Sequence, residues 1–201
     1  AGDPDAGQST SVSWEQFNIG AQRALGPDTW ANEPLFRTFN PSSDPERILP
    51  VLPTVLGSPA LPGENLPRFD RTMYFRAVSR DNYAMGGGVT QSQVTVGVWR
   101  TPGDAPFRIT APAAGAQYCG GQILAVQWNP VGTADAPVNA ATVDITMSLD
   151  GGQTWPISLL AGVANSGQAI LPVPAVNTAQ ARIKVEPTNN IFFAVSPGNF
   201  T

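Results

Sequence analysis

The chain contains no histidine and a single cysteine, Cys119. Without imidazole there is no Ser-His-Asp or Cys-His machinery and no histidine-based zinc site. One cysteine closes no internal disulfide, and thiolate-held metal clusters need more ligands. Charge is scarce as well. Only 13% of the 201 residues are charged, about half the usual ~25% share of globular chains. Lys184 is the one lysine, and the net charge is −4 with no basic stretch. The electrostatic footprint for nucleic acid is therefore lacking, and polyanionic membrane surfaces are disfavoured on the same ground. No apolar run approaches the roughly 18 residues of a membrane span, and the first residues carry no basic-then-apolar leader pattern. That start fits a mature segment or a piece of a larger chain. What stays open is carboxylate chemistry, a hard cation on oxygen ligands, or no chemistry, and the composition leans to the last.

What is present is period two. In TMYFRAV, Met73, Phe75 and Ala77 fall on one face and Tyr74 and Arg76 on the other. Val94, Val96 and Val98 alternate with Thr95 and Gly97. The same alternation recurs at Leu124, Val126 and Trp128, at Val143, Ile145 and Met147, and at Ala181, Ile183 and Val185. Such patterns predict half-buried strands in antiparallel sheets. Only Trp14 to Leu25 can be argued helical, and Gly20 with Gly26-Pro27 works against a long helix. Glycine and proline number 20 each, so turns are many. A break at Arg100 to Pro106 separates one strand series from the next. The reading is all-β: two immunoglobulin-like antiparallel sandwiches in tandem, residues 1–102 and 104–201. Between residues 40 and 67 stand seven prolines, a density that removes backbone donors and predicts a surface excursion. Ile48, Leu49, Val51, Leu52, Val55 and Leu56 would pin it to the first sandwich.

The octapeptide SLDGGQTW, Ser148 to Trp155, resembles the Asp-box of sialidases and other β-propellers at every fixed position. In that hairpin the aspartate accepts backbone N–H bonds across the turn, glycine relieves strain and the tryptophan packs over the hairpin. One copy, with no repeat of 40–50 residues, makes no propeller. Ser148, Asp150, Gly152, Thr154 and Trp155 are therefore read as a structural turn, not as a catalytic signature. Paired carboxylates could serve glycoside hydrolysis, but Glu15, Glu33, Glu46, Glu64 and Glu186 lie in no motif that fixes a partner's distance. Glu186, opposite Ile183 and Val185, is expected to be solvated. Asp3, Asp5 and Asp81 offer hard oxygens to a Ca²⁺ ion; as ordinary turn aspartates they need none. No other cofactor is expected.

Trp14 and Trp128 are expected to fill the two cores. Trp30, in a polar loop, and Trp99, out of phase with Val94, Val96 and Val98, resist burial by pattern and are the binding candidates. Their faces could stack on sugar rings or peptide side chains, or cover a domain junction. Cys119 is expected to be a buried, inert thiol, with intermolecular pairing open in an oxidising compartment. Asn199, in NFT, is a formal glycosylation sequon.

The segments SVSWEQFNIG, PLFRTFNPSSDPERILP, GENLPRFDRTMYFRAVSRDN and GGVTQSQVTVGV resemble the polycystic-kidney-disease-like or cadherin-like module of secreted bacterial proteins. The later PFRITAPAAGAQYCGGQILAVQWNPVGT, VDITMSLDGGQTWP and ARIKVEPTNNIFFAVSPGNFT are similar to the immunoglobulin-like module that follows it. Such pairs commonly sit behind a reprolysin-type zinc metalloprotease domain, whose histidine-rich helix this chain lacks. The resemblance also implies two strands ahead of Asp3, so the first sandwich is expected to be short of strands and to leave an open edge for a neighbour. The function expected is non-catalytic: a secreted or cell-surface segment that spaces or targets neighbouring domains. Alternatives are a filament or surface-layer subunit joined by strand addition, as a homo-oligomer through the open edge, and a carbohydrate-binding appendage.

Overall fold

The computed structural model describes residues 9–20, 32–83, 86–101, 103 and 105–201. The chain divides into two compact units, Ala1–Thr54 with Pro59–Arg100, and Val55–Ser58 with Thr101–Thr201. The expected junction at residues 100–106 brackets the end of the first unit. Val55–Ser58, part of the proline-rich stretch, groups with the second unit rather than the first.

The first unit is built on one antiparallel sheet of β1 (Ser11–Gln16), β2 (Arg71–Arg80) and β3 (Val89–Val98), in the order β1-β2-β3. Trp14 thus begins no helix. Val12, Trp14 and Gln16 alternate with Ser13 and Glu15, and the segment pairs with β2, Trp14 opposite Ala77 and Gln16 opposite Phe75. Residues 21–25 lie outside the described residues. Register sets Met73 against Val96 and Phe75 against Val94, so the alternating sets share a face, as the pattern predicts. Onto this face pack Leu35 and Phe36, which form a core with Met73 and Phe75, joined by Trp14, Leu49, Val96 and Val98. Among the described residues no second sheet faces the first; Leu35, Phe36 and Leu49 supply the cover.

Gln16 fixes the path of that cover. Its Oε1 accepts the N–H groups of Leu35 at 2.7 Å and Phe36 at 3.0 Å, while its Nε2 donates to Asn18 Oδ1 at 2.8 Å. Asn18 in turn donates to Thr72 O and accepts from Tyr74 N, satisfying backbone groups that burial would otherwise leave costly. Further on, Trp14 Nε1 donates to Pro45 O at 2.8 Å, and α1 (Leu52–Val55) is a single turn. Trp14 lies half-buried on an outer strand, not in a central one.

The second unit is a β-sandwich. One sheet has four strands, ordered β10 (Ala194–Val195), β9 (Arg182–Pro187), β6 (Thr142–Ser148) and β7 (Ile157–Ala164). The other has β4 (Arg108–Ala111), β5 (Ile123–Asn129) and β8 (Gln168–Pro172). Leu124, Val126 and Trp128 from the second sheet meet Val143, Ile145, Met147, Ile183 and Val185 from the first in one core, closed by Ile109, Leu171 and Phe200. Each fully buried aliphatic side chain here contributes about 1.5–3 kcal/mol relative to exposure. Trp128 fills the core as the pattern predicts, at 4% exposure.

Candidate functional site

The Ser148–Trp155 turn leaves β6 and leads towards β7. Asp150 Oδ1 accepts the N–H groups of Gln153 at 3.0 Å and Thr154 at 2.9 Å, and its Oδ2 accepts the Thr154 hydroxyl at 2.6 Å. Ser148 Oγ donates to Asp150 Oδ1 at 2.7 Å and accepts from Gly152 N at 2.8 Å. Gly152 stands at φ +100, a conformation L side chains adopt only with strain. These bonds hold the Asp150 carboxyl well below the usual carboxylate range, with the Thr154 and Ser148 hydroxyls as the largest causes. Trp155 then lies under Lys184, whose Nζ is 5.4 Å from the ring centroid. The side chains of Ser148, Asp150 and Thr154 bond to one another inside the turn, while Gly151 N donates to Gln180 O and Leu149 O accepts the Thr178 hydroxyl. Ser148 is fully buried, so Ser148→Ala should cost about 1–3 kcal/mol of second-unit stability, read by urea unfolding. A neutral result would show that the hydroxyl is no strut.

Several other acids are engaged as well. Asp81 accepts Tyr83 N at 3.1 Å and Gly88 N at 2.7 Å, bonds that lower its pKa, Gly88 first. Asp3 and Asp5, proposed to share a Ca²⁺ with it, lie outside the described residues, among which no acidic cluster suited to a metal is found. Glu15 pairs with Arg76 at 2.7 Å, Glu64 with Arg47 at 2.6 Å, and Glu186 with Lys184 at 2.9 Å. Glu186 is thus half-buried and ion-paired, where solvation alone was expected. Glu33 is buried, its carbonyl accepting from Arg71 Nη2 at 2.7 Å. Burial lowers the Arg71 pKa against the opposing pull of the Glu33 charge. Glu46 is exposed, and its N–H donates to Asp44.

Of the binding candidates, Trp30 lies outside the described residues. Trp99 is 51% exposed and lies back across Gly97: a Cβ there would stand 2.3 Å from Trp99 Cη2. The missing side chain is the ring's seat. Gly97 pairs with Thr72 and Thr95 with Tyr74 on the same sheet face, and Tyr74 is 43% exposed. Phe17, at 6.0 Å from the Tyr74 ring and beneath the Arg76 guanidinium, continues the row. A shallow open groove runs beside Trp99, bordered by Asp70, Arg71, Thr72 and Thr95. Tyr74 and Phe17 escaped the sequence reading as site residues. The outward phase of Tyr74 was visible, but its alignment with Trp99 needs the β2–β3 register.

Cys119 is exposed, contrary to expectation. It sits in a surface turn, where its N–H donates to Gln122 Oε1 and its carbonyl accepts from Gln122 N, so no core is at hand to cover the thiol. Asn199 is half-buried, its Oδ1 held by Arg182 Nε at 2.7 Å. Comparison with protein-family models, curated proteins and solved structures gives no match. What fold and site define is an antiparallel all-β protein in which Asp81 and Asp150 brace turns and the exposed Trp99 and Tyr74 share one sheet face.

Proposed function

We propose that the chain is a non-catalytic structural or adhesive segment of a larger secreted or cell-surface protein, spacing or targeting its neighbouring domains. The observation that carries this reading is the use made of the carboxylates. Asp81 and Asp150 close turns, and Glu15, Glu64 and Glu186 are ion-paired, so acid–base work by any of these five would have to break structure to begin. The segment resemblances given above suit a place behind a zinc metalloprotease domain. A panel of glycoside, ester and peptide substrates should show no turnover above buffer. Turnover that Glu→Gln substitution removes would overturn the proposal.

A second reading, a carbohydrate-binding appendage, is favoured by the seated Trp99 ring with Tyr74 one rung away. A planar ring over a sheet beside the polar side chains of Asp70, Arg71, Thr72 and Thr95 offers both a stacking face and hydrogen bonds to a sugar. Titration with glycans should quench Trp99 fluorescence. Trp99→Ala should abolish the response, and Gly97→Ala, which drives the ring from its seat, should weaken it at least tenfold. Equal quenching in all three proteins would remove this reading.

A further inference from the structure

We infer that two copies of this chain pair antiparallel along β3, centred on Ser92, to make one continuous six-stranded sheet. A free strand edge presents unpaired N–H and C=O groups, and proteins blunt such edges with charge, proline, bulges or short length. The other borders in this molecule carry such devices. Ser42 caps β1 through a two-bond bridge to Val12. The register of β7 on β6 is irregular, β4 is four residues long with Arg108 in it, β8 ends at Pro172, and β10 has two residues.

β3 has none of them. Its ten residues, VTQSQVTVGV, hold no charge and no proline. Its register on β2 runs unbroken from Val89 to Val98. Its side chains from Val89 to Thr95 are exposed on both faces. Among the described residues, no strand pairs with its outer edge.

The sequence of β3 says which strand fits there. Reflected about Ser92, Gln91 falls opposite Gln93 of the second copy, Thr90 opposite Val94 and Val89 opposite Thr95. Each residue meets one of matching polarity or a β-branched pair, and no like charges face each other. A two-fold axis through Ser92 keeps each face of one sheet on the same side as its counterpart, the isologous arrangement of closed dimers. The pairing is independent of any ligand on the Trp99 face and of the absence of catalysis.

The test is the mass of the intact chain in solution over a concentration series reaching about 1 mM, with two double variants. The unmodified chain should rise from 21.1 kDa towards twice that mass. Gln91→Lys with Gln93→Lys, and Gln91→Glu with Gln93→Glu, should each stay at the single-chain mass, because like charges then face each other. Mixed in equal amounts at low salt, the two variants should recover the double mass, since every new lysine meets a glutamate. Both positions are exposed, and circular dichroism checks that the variants keep their strands. A single-chain mass at every concentration overturns the inference. So do variants that still dimerise alone, and a mixture that stays at the single-chain mass overturns the Ser92 register.

Discussion

Asn165→Ala should lower the stability of the second unit by about 2–4 kcal/mol. Asn165 is buried just after β7, and its carboxamide closes a three-way network. Oδ1 accepts Trp128 Nε1 at 2.8 Å, while Nδ2 donates to Ala140 O at 2.9 Å and Thr133 Oγ1 at 3.0 Å. Trp128 is 4% exposed and Ala140 fully buried, so truncation strands a donor and an acceptor where water has little access. The Thr133 hydroxyl keeps its own bond to Pro130 O and loses least. Urea unfolding followed by tryptophan fluorescence, with an unchanged m-value, measures the loss. A shift below about 1 kcal/mol would mean that solvent reaches the network. Asn165→Asp separates the two halves of the effect. It keeps the acceptor for Trp128 but removes the donors, and it buries a carboxylate whose folded-state pKa must rise. Its deficit should therefore be smaller near pH 4 than at pH 7, because a protonated carboxyl can again donate to Ala140 O.

The core that this network frames is legible in the sequence. Leu124, Val126, Trp128, Val143, Ile145, Met147, Ala181, Ile183 and Val185 are all buried, because a sandwich strand has one dry face and its period of two writes that face into the chain. The SLDGGQTW turn was legible for a similar reason, since its partners lie within a few residues of one another. The first unit was harder to read. Its cover is held by Gln16 on Leu35, Trp14 on Pro45 and Arg47 on Glu64, contacts separated by 17 to 31 residues. Residues at such separations bear no fixed phase relation, and nothing local marks Gln16 or Glu64 as different from any other polar side chain. The same limit hid the aromatic row. Phase alone put Trp99 outward, but Tyr74 and Phe17 join it only through strand pairing. Cys119 failed on a residue-type expectation, burial of free thiols, that its surface turn overrides.

Among these unmarked contacts, Glu64 should be the most sensitive. Glu64→Ala is expected to cost about 3–5 kcal/mol, the usual result of removing one partner of a buried ion pair. The Glu64 side chain is fully buried and that of Arg47 only 16% exposed. Its Oε1 meets Arg47 Nη2 at 2.6 Å and its Oε2 accepts Val51 N at 3.1 Å. One carboxylate thus ties together both arms of the proline-rich stretch. Glu64→Gln keeps an acceptor for Val51 and loses the charge, so a smaller loss, about 1–3 kcal/mol, should follow. Limited proteolysis between residues 40 and 67 reads the loosening directly, and unchanged cleavage in Glu64→Ala would defeat the assignment. Acid separates this clasp from the Asp150 turn. Burial raises the Glu64 pKa above the ordinary 4.5, outweighing the charge of Arg47. Its titration therefore favours the fold below the unfolded-state value, and that contribution fades as pH rises through the folded one. Asp150 has the opposite sign: its contribution is present above about pH 4 and is lost as pH falls through its depressed folded value. On acidification from pH 7, the turn between β6 and β7 should open to protease before the stretch held by Glu64 does. The reverse order would contradict both assignments, since it requires the buried carboxylate to resist protons and the turn carboxylate to welcome them.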